Sequence, residues 1–418
     1  NLEIIGLAAD NKLPNSFLTG VVGLVTPGAS GRGADLNVSV PGEIRLLQGG
    51  LIDASVLSSP TAAAGGTAGD VHVTAGSLFV DRMGSDFFTG IGSDTEFFSG
   101  SPALVGTTNA GNVTVVADRI ELWNGGLISS SSAGLGNAGS VTVNAGSILA
   151  SGRGLETDFV FSPYSGISAG TSQESGKPLP LGQGGAISVN AKSITLADSA
   201  QIGSATVGPG AAGSISINTG SLDLTSGSAI SVRAERADAG SLTIRSGNIN
   251  LTDSAFTANA GGNGGNIDVM AGGLLFADRS RIEAEAVGNG GNIVIPGGLY
   301  TVLDHATVSA NAINGDGGNI LIQSTVFLSN ESQVTASSRF GADGVVRIDP
   351  LVTLTGGEGE ANPPPLEVND VLQPECSQRL PEDTGSFIVA GRGGTPRQPG
   401  GYLPSLRLFK SARPEQRR

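Results

Sequence analysis

The sequence predicts an all-β fold built from stacked repeats, and three observations predict it. Four glycines recur at nearly equal intervals of about 26 residues, each opening a run in which apolar and polar residues alternate. A column of apolar residues recurs with the same period and without slip. Alternation with period two is typical of strands, and a fixed period of this length is typical of repeat architectures. The glycines are Gly240, Gly265, Gly291 and Gly318, and the column is Ile230, Phe256, Ile282, Val308 and Val334.

Each repeat contains three candidate strands separated by polar corners. In the unit that opens at Gly265 they span residues 266–270, 274–277 and 282–286. If each strand pairs in parallel with its equivalent one unit later, the chain winds as a right-handed parallel β-helix solenoid. We count eleven openings and expect about 11 three-strand coils of ~26 residues. A second inward column is expected at Leu224, Leu251, Phe276, Val302 and Leu328.

The corners are expected to form a structural ladder of glycine and asparagine. Glycine is expected there because the chain turns with unusual backbone angles. A short polar side chain after the glycine can bond to neighbouring backbone or to its equivalent in the next coil. The residues of this predicted ladder are Gly240, Gly265, Asn266, Gly291, Asn292, Gly318 and Asn319.

Breaks in the period predict the domain organisation. We assign residues 1–349 to the β-helix, with loop insertions at 82–108 and 151–181 where the glycine spacing exceeds one unit. Beyond residue 349 prolines cluster, so residues 350–418 are expected to form a C-terminal cap followed by an extended, basic, Pro-rich tail. Insertions in repeat proteins often lie on the binding face.

Aromatic residues of the two insertions are the predicted contact site for a partner. The alternative is that the rings fold back over the coil as a small apolar plug. The residues concerned are Phe87, Phe97, Phe98, Phe161 and Tyr164.

Composition narrows the function classes. Of the 418 residues 66 are glycine and only 14% are charged, so Ser, Thr, Asn and Gly supply most of the polarity. The net charge of −14 argues against nucleic-acid binding. No apolar run is long enough to span a membrane, and the single cysteine, Cys376, allows no disulfide within the chain. Because the chain begins at Asn1 without a signal peptide, we expect a fragment whose secretion signal lay upstream.

Gly-Asn units at the corners carry a resemblance to a known family. The chain has Asn-Ala-Gly-Asn-Val-Thr-Val at 109–115 and Gly-Asn-Gly-Gly-Asn-Ile-Asp-Val at 262–269. Related phrases occur at 220–230 and 248–256, and Cys376 precedes Ser-Phe-Ile-Val-Ala-Gly-Arg-Gly-Gly-Thr-Pro at 386–396. Over roughly residues 20–400 the chain resembles filamentous haemagglutinin-type exoproteins of two-partner secretion, in particular the large cyanobacterial members.

This resemblance implies a right-handed parallel β-helix that an outer-membrane two-partner-secretion transporter exports. It implies a secreted or cell-surface location in a Gram-negative-type bacterium, with a role in adhesion or in an extracellular layer. The family's amino-terminal secretion domain, with its Asn-Pro-Asn-Gly signature, does not occur in this sequence, which fits a carboxy-terminal portion. A surface glycan or a protein receptor is the expected partner.

A β-helix can also be an enzyme that cleaves polysaccharides, which needs acidic and basic side chains converging from neighbouring coils. Glu283 and Glu285 have the spacing for one face of a strand, beside Arg233 and Arg281. We interpret them instead as part of an outward polar ladder and expect no enzyme. That ladder comprises Arg233, Asn259, Glu285, Asn311 and Ser337, beside Ser231, Thr257, Glu283, Ser309 and Thr335.

No cofactor or metal is expected from the sequence. His72 and His305, the only histidines, have no second ligand at a useful spacing, so a surface role is expected for both. The predicted function is therefore a secreted structural or adhesive rod that attaches to surfaces, cells or glycans. The alternatives are a polysaccharide-degrading enzyme and a subunit that self-associates end to end into an extracellular filament or sheath.

Overall fold

The computed structural model describes residues 1–6, 19–58, 65–97, 108–154, 164–173 and 179–355, without the side chains of residues 58, 96, 97 and 353–355. These residues form strands joined by turns, and no helix occurs among them. The described part of the chain accordingly offers no helix that could cross a membrane.

The strands fall into a long class and a short class. In chain order they are β1 (Leu2–Ile5), β2 (Thr19–Val22), β3 (Ser30–Arg32), β4 (Leu36–Leu47), β5 (Gly50–Asp53), β6 (Val56–Ser58), β7 (Gly65–Thr67), β8 (Val71–Asp81), β9 (Gly90–Gly92), β10 (Thr95–Phe97), β11 (Val113–Trp123), β12 (Leu127–Ser129), β13 (Val141–Ser151), β14 (Gly166–Ser168), β15 (Ile187–Ala197), β16 (Gln201–Thr206), β17 (Ile215–Leu224), β18 (Ala229–Ala234), β19 (Leu242–Thr252), β20 (Ala255–Thr257), β21 (Ile267–Ala271), β22 (Leu274–Asp278), β23 (Arg281–Glu283), β24 (Ile293–Ile295), β25 (Tyr300–Asp304), β26 (Thr307–Ser309), β27 (Ile320–Asn330), β28 (Gln333–Thr335) and β29 (Val346–Thr355).

Two large parallel sheets contain most of these strands. Sheet A orders β1, β4, β8, β11, β13, β15, β17, β19, β21, β24 and β27, with β22 and β25 between β19 and β27 and with β29 beyond β27. Sheet B orders β2, β5, β9, β12, β14, β16, β18, β20, β23, β26 and β28. Spatial order follows chain order in both sheets, so the prediction of an all-β fold with parallel sheets is confirmed. We use rung for one sheet-A segment and the sheet-B strand that follows it.

The predicted apolar column is confirmed by the register of sheet B. Ile230 pairs with Phe256, and Phe256 pairs with Ile282. The same register continues through Val308 to Val334. The first four of these side chains are almost fully buried, and they join the inward side chains of sheet A in one continuous hydrophobic core. Equivalent residues of successive rungs therefore lie directly on one another.

The prediction of three separate strands per coil is wrong for most rungs. The first and second candidates usually form one long strand, as in β11 and β13, and both halves belong to sheet A. Pairing skips one residue in the middle, at Asp118 and Gly146, so the strand bends there without ending. The third side consists of the two-stranded sheet of β6 and β10 and of isolated bridges, as between Ala260 and Ala286, that follow sheet B. Strands β3 and β7 form a further two-stranded sheet. Within the described ranges, only the rung of β21 and β22 and the rung of β24 and β25 have a divided first strand.

The second predicted column is wrong after Leu251. In the structure Leu251 pairs with Ala277, whereas Phe276 pairs with Asn250 and is only half-buried. The extra residue lies at Gly272–Gly273, because the interval between paired residues grows by one between Ser246 and Ile249. A shift of one residue moves a side chain to the other face of a strand. Phe276, Val302 and Leu328 consequently point away from the core.

Both predicted insertions contain sheet strands. Residues 82–108 include β9 and β10, and residues 151–181 include β14. Each of β9 and β14 has a single apolar inward residue, Ile91 or Ile167, so alternation could not reveal it.

The boundary predicted at residue 349 falls inside a strand. Strand β29 continues the parallel pairing with β27 as far as Thr355. Residues 356–418, with the predicted tail and Cys376, lie outside the described residues.

Candidate functional site

The glycine column marks where successive rungs approach most closely. A Cβ atom on Gly291 would collide with the carbonyl oxygen of Gly265, and one on Gly318 would collide with that of Gly291. A Cβ atom on Gly265 or on Gly240 would likewise collide with the carbonyl oxygen of the glycine one rung earlier. None of the four has a positive φ, so the expectation of unusual backbone angles is wrong for them. The missing side chain, rather than backbone freedom, is what these positions require.

Asparagine side chains link the same corners into a ladder. The Oδ1 atom of Asn266 accepts hydrogen bonds from the backbone N–H and the Nδ2 of Asn292, at 2.9 and 3.2 Å. Asn292 accepts the same pair from Asn319, at 2.9 and 3.2 Å. Each asparagine thus satisfies a backbone donor of the next rung that the turn leaves without a strand partner.

A second ladder runs three residues earlier and was missed in the sequence. Asn263 accepts bonds from the backbone and the amide of Asn289, both at 3.1 Å, and Asn289 accepts the backbone N–H of Asp316 at 2.9 Å. Both asparagines of the Gly-Asn-Gly-Gly-Asn unit therefore have a structural role. The period itself was the signal, because Asn263 and Asn289 are as far apart in the chain as Gly265 and Gly291.

A groove of about 740 Å³ lies beside the outer face of sheet B. Its floor includes Ala234, Ala260, Ala286 and Ala312, which bridge from rung to rung. Polar side chains of the predicted outward ladder form one wall, and two exposed apolar side chains, Val287 at 39% and Ile313 at 43%, stand opposite. The wall comprises Ser231, Arg233, Thr257, Asn259, Glu285 and Asn311.

Glu283 and Glu285, the two glutamates singled out in the sequence, both have protein partners. Glu285 accepts a hydrogen bond from the amide of Asn311 at 3.0 Å, and its backbone N–H donates to Asn259 at 2.9 Å. Glu283 pairs with the guanidinium of Arg281 at 3.2 Å and accepts from Asn259 at 3.3 Å. The groove therefore presents a row of fixed amide and carboxylate groups, which suits hydroxyl-rich ligands.

The structure describes only part of the predicted aromatic contact site. Phe87 is half-buried, and its neighbour Phe88 is buried at 6% exposure against Leu51 and Leu127. Tyr164 is half-buried, with the guanidinium of Arg153 4.6 Å above its ring. Burial of Phe88 favours the plug interpretation for that ring. Phe97 ends strand β10 but its side chain lies outside the described part, as do Phe98 and Phe161 entirely.

His305 has neighbours that the sequence spacing concealed, so the expectation that it lacks a second ligand is wrong. Its Nδ1 lies 2.7 Å from Asp304 and its Nε2 lies 2.9 Å from Glu331. One oxygen of Asp278, one of Asp304 and one ring nitrogen of His305 all lie within 4.8 Å of one another. The bond to Asp304 raises the pKa of His305, and bonds from Asn330 and His305 lower the pKa of Asp304.

This cluster is better described as an ion-pair ladder than as a metal centre. Arg279, one rung before His305, binds Asp253 at 2.8 and 3.1 Å and Asp278 at 3.0 Å. A guanidinium beside Asp278 disfavours a second cation at the same carboxylate. His72, by contrast, is exposed on sheet A.

Comparison of the chain with protein-family models, with curated proteins and with solved structures finds no match.

Proposed function

We propose that the chain is a right-handed parallel β-helix that serves as a structural and adhesive rod, secreted or held at the surface of a Gram-negative-type bacterium. The observation that carries this proposal is the strand-by-strand parallel register of sheet B, in which 11 strands follow one another in chain order. At ~4.8 Å between strands, this stack would extend roughly 50 Å.

The groove is the proposed contact for a surface glycan. A row of amide and carboxylate groups next to apolar patches suits sugars, whose hydroxyl edges need polar partners and whose faces are apolar. Because the wall repeats at each rung, one extended chain can engage several equivalent positions. Individually weak contacts then gain strength by repetition.

Export by an outer-membrane two-partner-secretion transporter is part of the same proposal. Its support is the family resemblance of the Gly-Asn corner units and the tail motif. The rung-by-rung hydrogen bonding adds physical support, because such a stack needs no disulfide to hold it together.

A glycan array with the full chain tests the adhesive role. Glycans bound by the natural protein should lose at least tenfold in affinity in an Asn259→Ala, Asn311→Ala double variant. His72→Ala, exposed on the other sheet, is the matched control and should bind as the natural chain does. Absence of any bound glycan, or equal binding by the double variant, would contradict the groove as the contact. Electron micrographs that show no elongated body would contradict the rod itself.

A polysaccharide-cleaving enzyme is the second candidate, favoured by the position of Glu285 in the groove with Glu283 close by in the chain. Incubation of the natural chain with acidic and neutral polysaccharides should then release oligosaccharides. A Glu283→Gln, Glu285→Gln double variant should lose that release while keeping its circular dichroism spectrum. Binding without release would leave adhesion as the function.

A further inference from the structure

Two buried carboxylates face each other on the outer side of sheet B, near its amino-terminal end. Asp53 ends strand β5 and pairs with Gly92 of strand β9, and Asp94 follows two residues later. The side chains are nearly inaccessible, with Asp53 5% exposed and Asp94 3% exposed. At this burial no polymeric substrate can reach them.

Serine groups fix the orientation of both carboxylates. Oδ1 of Asp53 accepts hydrogen bonds from the hydroxyl and from the backbone N–H of Ser55, the latter at 3.2 Å. Oδ1 of Asp94 accepts from the hydroxyl of Ser129 at 2.7 Å and from the backbone N–H of Ser131. The hydroxyl of Ser55 also accepts the backbone N–H of Asp94 at 2.7 Å, which ties the two residues together.

One carboxylate oxygen of this pair is buried and has no hydrogen-bond partner among the described residues. It is Oδ2 of Asp94. A buried oxygen that carries negative charge and has no donor is costly, because water no longer solvates it. Either a bound cation or a proton shared with Asp53 would satisfy this oxygen.

Gly92 lies between the two side chains, which both approach it closely. A Cβ atom on Gly92 would lie 3.0 Å from Oδ1 of Asp53 and 3.1 Å from Oδ2 of Asp94, with the ring of Phe88 at 3.2 Å. The orphaned oxygen and an oxygen of the other carboxylate thus border one point. An aromatic ring also lies next to that point.

The charge of the pair is not balanced by the described part of the chain. No Lys, Arg or His among the described residues forms an ion pair with Asp53 or Asp94. Burial raises the pKa of both carboxyls, and the neighbouring charge of Asp94 raises that of Asp53 further. Buried charges in proteins are paired or coordinate metals.

At the same position later in sheet B, an acidic residue has a basic partner. Successive pairs connect Asp53 to Glu283 along the outer face of the sheet. Glu283 has Arg281 as its partner at 3.2 Å. Asp53 occupies the position of Glu283 without such a partner.

We propose that Asp53 and Asp94 hold one divalent cation of the calcium class next to Gly92. Calcium prefers carboxylate and other oxygen ligands in flexible geometry. Two carboxylates would neutralise its charge, and the serine hydrogen bonds hold the ligand groups in place. The cation joins the rung of β5 to the rung of β9, so it acts as a staple between neighbouring coils.

Equilibrium dialysis of the full chain against calcium chloride, with bound metal measured by mass spectrometry, tests the site. One calcium ion per chain should be bound by the natural protein, with at least a tenfold weaker affinity in Asp94→Asn. Asp304→Asn, which alters the exposed His305 cluster, is the matched control and should bind as the natural chain does. Calcium should also raise the melting temperature of the natural chain and of the control, but not of Asp94→Asn.

A second variant covers the case in which Asp94→Asn fails to fold. Gly92→Ala keeps both carboxylates and places a methyl group between them, so it should also lose the bound ion. If the natural chain binds no calcium at this stoichiometry, or if both variants bind it equally well, the proposal is overturned. If calcium does not change the stability of the natural chain, and Asp94→Asn is the more stable protein at pH 8, then Asp53 and Asp94 share a proton instead of a cation.

Discussion

Asn292 links three rungs through one side chain, which makes it the sharpest test of the corner ladder. Its Oδ1 accepts two hydrogen bonds from Asn319, and its Nδ2 donates to Asn266. In Asn292→Ala the backbone N–H of Asn319 loses its acceptor. We expect the free energy of unfolding to fall by about 1 kcal/mol, measured by urea denaturation.

Asn292→Ser is the matched control for that change. Serine occupies the same ladder position at Ser214, where its hydroxyl accepts the backbone N–H of Ser241 at 3.2 Å. The serine variant should therefore lie between the natural chain and the alanine variant. Equal stability of the three proteins would show that the ladder adds nothing to solvent hydrogen bonding.

The buried acid pair gives stability a pH dependence of known sign. Burial raises the pKa of Asp94 and of Asp53, the titratable group that faces it. A raised pKa contributes stability that is complete below the ordinary carboxyl range near pH 4 and is lost as the pH rises through the folded-state value. In calcium-free buffer the natural chain should therefore lose stability relative to Asp94→Asn between about pH 4 and pH 8.

Thermal unfolding of both proteins at several pH values measures that difference. Surface carboxyls such as Asp70 give both proteins an opposite pH dependence, and this contribution cancels in the difference between their stabilities. Partial burial alone would raise the pKa of Asp70, but hydrogen bonds from Asn112 and Arg32 together outweigh it and lower that pKa. Added calcium should restore the natural chain at pH 8 and leave the variant unchanged. If the difference in stability between the two proteins does not change with pH, the pair stays charged, or stays neutral, over the whole pH range.

At the scale of the strands, the spacing of the rungs depends on the glycine column. Gly291→Ala places a methyl group against the carbonyl oxygen of Gly265, so the two rungs must separate. We expect the melting temperature to fall by several degrees, as for other overpacked sites. Gly203→Ala is the matched control, because its Cβ would meet only the carbonyl oxygen of Ser231, at 3.7 Å, and it should melt close to the natural chain.

Much of the architecture was predictable from the sequence because a constant period defines the register. Ile230, Phe256 and Ile282 stack as the spacing indicates. Prediction failed where the period slips, as at Gly272–Gly273, since one extra residue put the predicted column at Phe276, Val302 and Leu328 on the wrong face of the strand. It also failed for strands with one inward residue, such as β9, which are too short for alternation to show.

The candidate site was predictable only where it shares the period. Asn259 and Glu285 belong to one periodic column that the spacing predicted to point outward, and the groove that they line is visible only in the structure. Asp53 and Asp94 were missed, because the rungs that contain them are longer and the spacing of equivalent positions varies there. Their proximity depends on the pairing of Asp53 with Gly92, which only the structure shows.

At the scale of the whole molecule, each rung contacts mainly its two neighbours, so removal of one complete rung should be tolerated. Deleting residues 265–290 joins Gly264 to Gly291 and lets Gly291 stack on Gly240 with the register kept. We expect circular dichroism to retain its strand signal and the melting transition to shift only slightly. Deleting residues 265–277, half a rung, places core residues on the outer face and should abolish cooperative melting.

Because strand order in both sheets follows chain order, tension applied between residues 19 and 355 would load the rungs in series. Each rung would yield separately, and a later rung of about 26 residues would release roughly 90 Å of extended chain before the next one bears the pull. Such a sequence of small yields dissipates work over a long extension instead of in one rupture. If the chain tethers a cell to a surface, as proposed, this arrangement would let the tether lengthen stepwise under flow instead of breaking.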